Sequence, residues 1–132
     1  MKVIDSSSVA KYVNRERNWE SAAKALGENC ISLELAVKET GNSLWKRIRR
    51  GELDDNRARR LFSEFVASRP FTIADQGELY VPAMEIASTF GLPLYDALFL
   101  ALAKEKGLSL VTSDLFQAEA AKRLGLGVQL IE

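Results

Sequence analysis

The 132-residue sequence contains no histidine. Histidine is the commonest general base and the usual protein ligand of zinc and copper, so its absence excludes every histidine-dependent catalytic triad. A catalyst built from this chain must therefore use carboxylates, hydroxyls, lysine or a bound cation. Ligand sets made only of oxygen atoms suit Mg²⁺ and Mn²⁺.

Cysteine, net charge and long apolar runs are also scarce. The single cysteine, Cys30, cannot form an internal disulfide, which fits a reducing compartment. The formal net charge is zero, so no global field draws the protein toward nucleic acid. No apolar run is long enough to span a bilayer, and the N-terminus lacks the pattern of a signal peptide. We therefore expect one cytoplasmic domain over residues 1–132, with no membrane partner.

Short apolar runs alternate with amphipathic segments along the chain. We expect strands at KVID, NCISL, FTIAD, LSLVTSD and GVQLIE. The intervening helices include a long one from Glu34 to about Arg50 and a very apolar one, LPLYDALFLALAKEKG, which we expect to be buried on most sides. Strands that alternate with helices predict an α/β fold around a parallel sheet covered on both faces.

Four acidic residues stand at positions that such a fold brings toward one edge of the sheet. Asp5 and Asp114 follow the first and fourth predicted strands, Asp96 begins the apolar helix, and Glu39 lies on the long helix. Each alone is explained as a helix cap or as solvated surface. Together they predict a ligand site, because parallel α/β sheets bind ligands at the carboxyl ends of their strands. Clustered carboxylates repel one another unless a divalent cation neutralises them, so the pattern indicates metal-assisted hydrolysis.

The segment KRIRRGELDDNRARR is the most basic part of the chain. Its basic residues are Lys46, Arg47, Arg49, Arg50, Arg57, Arg59 and Arg60. Because Glu52, Asp54 and Asp55 interrupt them, we interpret most of these residues as a solvated, salt-bridged surface. The alternative is a rim that attracts phosphate groups close to the acids. The neighbouring Trp45 is expected in the core rather than as a stacking surface for bases.

Four stretches together resemble the PIN-domain nucleases, in particular VapC-type toxins. They are VIDSSSVAKYV, ELAVKETGNSLWKRIRRGEL, FGLPLYDALFLALAKEKG and LVTSDLFQAEAAKRLGL, and they span nearly the whole chain. Matching the motifs position by position implies that Asp5, Glu39, Asp96 and Asp114 are the catalytic, metal-ligating acids. It also implies supporting positions at Thr112, Ser113, Asn42 and Ser7. Some relatives carry a fifth acid, for which Glu119 is the nearby candidate.

The resemblance also implies properties that composition does not show. The fold would be a three-layer sandwich around a parallel sheet of about five strands, ordered 3-2-1-4-5. The activity would be Mg²⁺- or Mn²⁺-dependent endonucleolytic cleavage of RNA. The partners would be a small VapB-like antitoxin that blocks the active site and a second copy of the chain in a homodimer.

Other functions stay open at this level. Asp75, after the predicted strand FTIA, fits the acceptor of a phosphoacceptor receiver domain, although no acidic pair follows the first strand and LGVQL supplies no lysine. A haloacid-dehalogenase-like phosphotransferase is weaker, because Ser7 stands where that class needs a second acid. A non-catalytic binding module, and a PIN nuclease that processes RNA without being a toxin, are further alternatives.

Overall fold

The computed structural model describes all residues, 1–132. Five strands alternate with seven helices, and a 3₁₀ turn at Gly77–Leu79 precedes the fifth helix. The strands are β1 (Lys2–Ile4), β2 (Cys30–Leu33), β3 (Thr72–Ala74), β4 (Leu110–Thr112) and β5 (Val128–Leu130). The helices are α1 (Ser6–Asn14), α2 (Trp19–Gly27), α3 (Glu34–Arg49), α4 (Asp55–Ser68), α5 (Tyr80–Phe90), α6 (Leu94–Lys106) and α7 (Leu115–Arg123).

The strands form one parallel sheet in the order β3-β2-β1-β4-β5, which confirms the predicted fold. Val3 in β1 stands opposite Ile31 in β2 on one side and Leu110 in β4 on the other. The chain thus places β2 and β3 on one side of β1 and, after α6, places β4 and β5 on its other side. This reversal of strand order opens a crevice at the carboxyl ends of β1 and β4.

The three central strands are covered on both faces. All residues of β2 and β4 and the last two of β1 are buried. Because successive residues of a strand point to opposite faces, such unbroken burial requires packing on each face of the sheet. Helix α6 is buried from Ala97 to Ala103 without interruption, as its apolar sequence predicts. Its left-handed end at Gly107 (φ 66°) turns the chain directly into β4.

The prediction that Trp45 belongs to the core is wrong. Its side chain is 51% exposed, whereas Leu44 beside it is 2% exposed. Successive helical residues point about 100° apart, so the face of α3 that buries Leu44 turns Trp45 outward. The Arg49 guanidinium lies 5.6 Å from the centre of the Trp45 ring, a cation–π contact that partly covers the indole.

No single helix is long and apolar enough to cross a membrane; residues 77–90 and 94–106 meet that criterion only as a pair, bent by 113°.

Candidate active site

Asp5 lies at the crevice, between the end of β1 and the start of α1. It caps α1, since its Oδ1 accepts the Ser8 backbone N–H at 3.1 Å. The Ser7 hydroxyl donates to the same oxygen at 2.7 Å, and the Thr112 hydroxyl donates to Oδ2 at 2.6 Å. The side chain is fully buried and forms no ion pair with a lysine or arginine. Asp5 is therefore both a helix cap and a buried carboxylate without a cationic partner.

The surroundings of Asp5 favour its neutral form. The pKa of this carboxyl is raised from 3.8 to about 6, mainly by burial and to a smaller extent by the charge of Asp114. The hydrogen bonds from Thr112, Ser7 and Ser8 oppose the rise, because they stabilise the carboxylate. A positive charge brought next to Asp5 would reverse the effect of burial and keep the group ionised.

Asp114 follows β4 by two residues and caps α7. Its Oδ1 accepts the backbone N–H groups of Phe116 at 2.8 Å and Gln117 at 3.2 Å. Its own N–H donates to the Thr112 hydroxyl at 3.0 Å. The capping bonds all fall on one carboxylate oxygen, so Oδ2 has no hydrogen-bond donor from the protein. Capping and ligand binding are therefore compatible in this residue, one oxygen for each.

Asp96 and Glu39 approach the same region from α6 and α3. The pKa of Asp96 is raised from 3.8 to about 6, first by burial and then by the charges of Asp114 and Glu39, while a polar contact with Gln117 lowers it. Glu39 is half-buried, and its Oε1 accepts the Ser6 hydroxyl at 2.7 Å. These interactions link Asp5 to Asp114, Asp114 to Asp96 and Asp96 to Glu39. The four carboxylates form one electrostatically coupled group at the crevice.

An open cleft adjoins this group. It measures about 480 Å³, and its lining includes Asp96, Asp114, Glu119, Phe90, Phe116 and Arg123. Glu119 therefore faces the same space as two of the four acids. Phe116 is 77% exposed at the cleft, only two residues after Asp114. The cleft combines negative charge with exposed aromatic surface.

The oxygen ligands of the acid group suit a hard divalent cation chemically, but they do not lie close enough together to coordinate one. All the candidate ligands are carboxylate oxygens, which suit Mg²⁺ or Mn²⁺. The Gln117 Oε1 next to Asp96 is buried and lacks a donor, so it is a further oxygen without a partner. However, no three acidic side chains lie close enough together to hold an ion. Mutual repulsion of unneutralised carboxylates favours such separation.

A network of hydroxyl groups positions the acids. Of the residues predicted to support the site, Thr112 and Ser7 bond Asp5 directly, and the Ser113 N–H donates to the Ser7 hydroxyl at 2.9 Å. The Ser113 hydroxyl also contacts that of Ser8 at 3.0 Å. Asn42 instead is exposed on α3. The structure thus joins three of the four supporting residues to Asp5 through hydrogen bonds.

Three polar residues of this region were not singled out from the sequence. Ser6 bonds Glu39, Ser8 bonds Asp5 and Ser113, and Gln117 is 2% exposed beside Asp96. The run of three serines directly after Asp5 was the available signal for the first two. Nothing in the local sequence marked Gln117, because its burial depends on how α7 packs against α6.

The basic segment is less salt-bridged than its sequence predicts. Two ion pairs form, Arg50 with Glu52 and Arg59 with Asp55. Arg47 is half-buried and donates to the side-chain oxygen of Asn14 at 2.9 Å, so a neutral group holds it. The segment is therefore a solvated surface in which part of the positive charge has no acidic partner.

Comparison with known proteins places the chain in a family. The family model for the PIN domain matches residues 2–123. Ribonuclease VapC3 of Pyrobaculum aerophilum is 34% identical over 121 residues, which is 89% of this chain and 92% of that protein. Exonuclease VapC9 of the same organism is 34% identical over 112 residues, or 85% of this chain and 79% of that protein.

Solved structures share the fold. The crystal structure of PAE2754 from Pyrobaculum aerophilum matches with a TM-score of 0.74 and 26% identity, over 96% of this chain and 87% of that chain. A toxin–antitoxin complex from Klebsiella pneumoniae matches with a TM-score of 0.66 and 16% identity, over 100% of this chain and 98% of that chain. The family model, the relatives and the fold agree with the acid group at the crevice: the chain belongs to the PIN-domain family and is of the VapC type.

Proposed function

We propose that this protein is a metal-dependent endoribonuclease that hydrolyses RNA phosphodiester bonds and acts as the toxin of a toxin–antitoxin pair. The observation that carries the proposal is the coupled group of four carboxylates at the crevice, which includes a fully buried Asp5 without a cationic partner. The similarity to Ribonuclease VapC3 over most of both chains supports RNA as the substrate. Residues 1–132 act as one domain in this proposal.

Asp5, Asp96, Asp114 and Glu39 would hold Mg²⁺ or Mn²⁺. When bound, such a cation acidifies a water molecule, orients it and neutralises charge on a phosphoryl oxygen. The chain's own groups prepare the ligands. Thr112 and Ser7 fix the carboxylate of Asp5, and Ser6 fixes that of Glu39. The α7 cap fixes Asp114 through Oδ1 and leaves Oδ2 for a ligand.

Glu119 has a secondary role in this proposal. It lines the cleft together with Asp96 and Asp114, so its charge adds to the field that attracts a cation. It is exposed and lies on the second turn of α7, whereas Asp114 caps the start of that helix. We therefore assign Glu119 to cation attraction rather than to the group that holds the ion.

The competing functions have less support in the geometry. Asp75 follows β3 at the edge of the sheet, is exposed, and accepts the backbone N–H of Gly77 at 3.3 Å. It is therefore a turn residue remote in strand order from the β1–β4 crevice, which disfavours a phosphoacceptor role. A non-catalytic binding module would need no coupled acid group, because capping alone would use only Asp5 and Asp114.

The partners and location follow from the same proposal. A small VapB-like antitoxin would cover the acid group, and the toxin–antitoxin complex with the same fold supports a partner of this kind. A homodimer and a cytoplasmic location, where RNA is present and thiols such as that of Cys30 stay reduced, complete the proposal.

A cleavage assay on circular and linear RNA tests this function. We expect the wild-type protein to open circular RNA with Mg²⁺ or Mn²⁺ and to lose activity when EDTA is present. Asp5→Asn should lose at least about 100-fold in kcat, because one ligand of the cation is removed. Asp55→Asn is the matched control, since Asp55 is an exposed acid on α4 that pairs with Arg59. Cleavage of linear RNA alone would indicate an exonuclease, and equal activity in EDTA would contradict the metal requirement.

A further inference from the structure

Helices α1 and α3 lie side by side in parallel register. Ser6 near the start of α1 bonds Glu39, and Asn14 at the end of α1 bonds Arg47; both contacts join residues 33 positions apart. Equal separations mean that the two helices advance together from the acid group. At about 1.5 Å per residue, the eight residues from Glu39 to Arg47 span about 12 Å.

A polar pocket lies at the far end of this helix pair. It measures about 400 Å³ and has no hydrophobic residue in its lining. This basic pocket is lined by seven residues, three of them basic and two acidic: Asn14, Glu16, Ser43, Lys46, Arg47, Arg50 and Glu52. Lys46 follows Glu39 by seven residues, which is close to two full helical turns, so both side chains leave the same face of α3. The acid group and the basic pocket therefore open along one stripe of the surface.

Arg47 is held in a fixed orientation by neutral groups. Its Nη1 donates to the Asn14 Oδ1 at 2.9 Å, and the Asn14 amide nitrogen donates to the Ser43 hydroxyl at 3.0 Å. No carboxylate forms an ion pair with Arg47 or Lys46. A guanidinium has five N–H donors, and most of those of Arg47 stay available. A half-buried, oriented guanidinium without an acidic partner is suited to a phosphate group.

Two acids also line the pocket, and they leave it positive. Glu52 is engaged by Arg50, which neutralises both. Lys46 and Arg47 then face Glu16 alone, so the remaining charge is positive by one. This excess is local, because the chain as a whole is neutral.

We propose that the basic pocket binds a backbone phosphate of the RNA strand that is cut at the acid group, a role that rests on the proposed nuclease function. Successive phosphates of a stacked strand advance by about 3.4 Å, so about 12 Å places this phosphate within about four nucleotides of the cleaved bond. The pocket makes no contact with bases in this role. It adds affinity and fixes the direction of the strand without selecting its sequence.

Charge-removing variants with a matched control test the pocket. Arg47→Gln and Lys46→Gln each remove one pocket charge, and Arg59→Gln removes one charge from the ion-paired surface of α4. We expect the pocket variants to raise KM for single-stranded RNA about tenfold with kcat within about twofold of wild type. Each should also reduce the salt dependence of binding by about 0.7 in log–log slope. Arg59→Gln should leave both quantities unchanged.

Shortened substrates locate the contact. RNA with fewer than about four phosphates on the relevant side of the cut should show no difference between wild type and Arg47→Gln. If Arg47→Gln loses its fold because the Asn14 contact is gone, the exposed Lys46→Gln decides the question. Equal KM values for wild type and Lys46→Gln, or an equal effect of Arg59→Gln, would refute the proposal that the pocket binds a phosphate. Cleavage by the wild type would still support the proposed nuclease function. Absence of cleavage by the wild type would refute the proposed nuclease function.

Discussion

Replacing Asp5 with asparagine should stabilise the metal-free protein above pH 6 while it abolishes cleavage. Asp5 is fully buried, and burial is the main cause of its raised pKa. A buried carboxylate that must ionise near neutral pH is a cost to the fold in the absence of a cation. Asparagine removes that cost and keeps an oxygen that caps α1 by accepting from Ser8.

The size of the effect follows from the pKa. A rise from 3.8 to about 6 corresponds to about 3 kcal/mol, at about 1.4 kcal/mol per pKa unit. Asparagine places an amide N–H₂ where Oδ2 stands, so the Thr112 hydroxyl, which donates at 2.6 Å, loses its acceptor, and this offsets about 1 kcal/mol. The net gain for Asp5→Asn is about 2 kcal/mol at pH 8, or about 6 °C in melting temperature for a chain of this length.

The pH dependence has a definite sign. Because the folded-state pKa of Asp5 lies above 3.8, the folded protein binds this proton more tightly than the unfolded chain does. The stability of the wild-type protein therefore falls as pH rises from about 4 to about 6, and the contribution stays constant above that. The advantage of Asp5→Asn should disappear toward pH 4, where Asp5 is protonated in the folded state.

Urea unfolding of both proteins from pH 4.5 to pH 8, with EDTA and with excess Mn²⁺, measures the effect. With Mn²⁺ at 100 times its dissociation constant, the wild type should gain about 2.7 kcal/mol and overtake the variant. Asp55→Asn should change stability by less than about 0.5 kcal/mol under all conditions, because Asp55 is exposed. A metal-free Asp5→Asn protein that is less stable than wild type at pH 8 would refute the reasoning about burial.

Three further predictions concern the network, the cleft and the core. Thr112→Val removes the hydroxyl that lowers the pKa of Asp5, so the acidic limb of the pH profile of kcat/KM should move to higher pH; an unmoved limb would contradict this. Glu119→Gln should raise the Mn²⁺ concentration for half-maximal activity several-fold, and less than Asp114→Asn does, whereas the reverse ranking would make Glu119 a principal ligand. Leu100→Ala creates a cavity at a fully buried position of α6 and should cost about 3 kcal/mol in urea unfolding without changing the m-value; a loss below 1 kcal/mol would mean that the core refills the space.

Local pattern was sufficient for the secondary structure. The five strands and the two helices around Glu34–Arg49 and Leu94–Lys106 could be predicted, because the pattern of apolar residues in each segment reflects how much of it is buried. The uninterrupted burial of Ala97–Ala103 likewise follows from the composition of α6. Trp45 shows where this reasoning fails: a large apolar residue was assigned to the core by its type, although its helical phase turns it toward solvent.

The sequence indicated which acids belong to the site, but not the contacts that hold them in place. Asp5 and Asp114 follow predicted strands, Asp96 begins a predicted helix and Glu39 lies on another; the resemblance to the PIN domain then implied their roles. The bond from Thr112 to Asp5 joins residues 107 positions apart, and no local pattern encodes it. The pairing of Asn14 with Arg47 depends in the same way on the packing of α1 against α3. Such contacts are determined by the tertiary structure, because they form only when distant segments of the chain pack against each other.

The sequence by itself determined the alternation of strands and helices, the absence of any histidine chemistry, and which acids stand next to the sheet. The tertiary structure alone decided that Asp5 is fully buried, that hydroxyls rather than cations hold it, and that a positive pocket follows the acid group along α3. The physical reason is the distance along the chain over which each interaction acts. Periodicity and capping act over a few residues of chain, whereas burial, charge coupling and pocket shape depend on segments that meet only after folding.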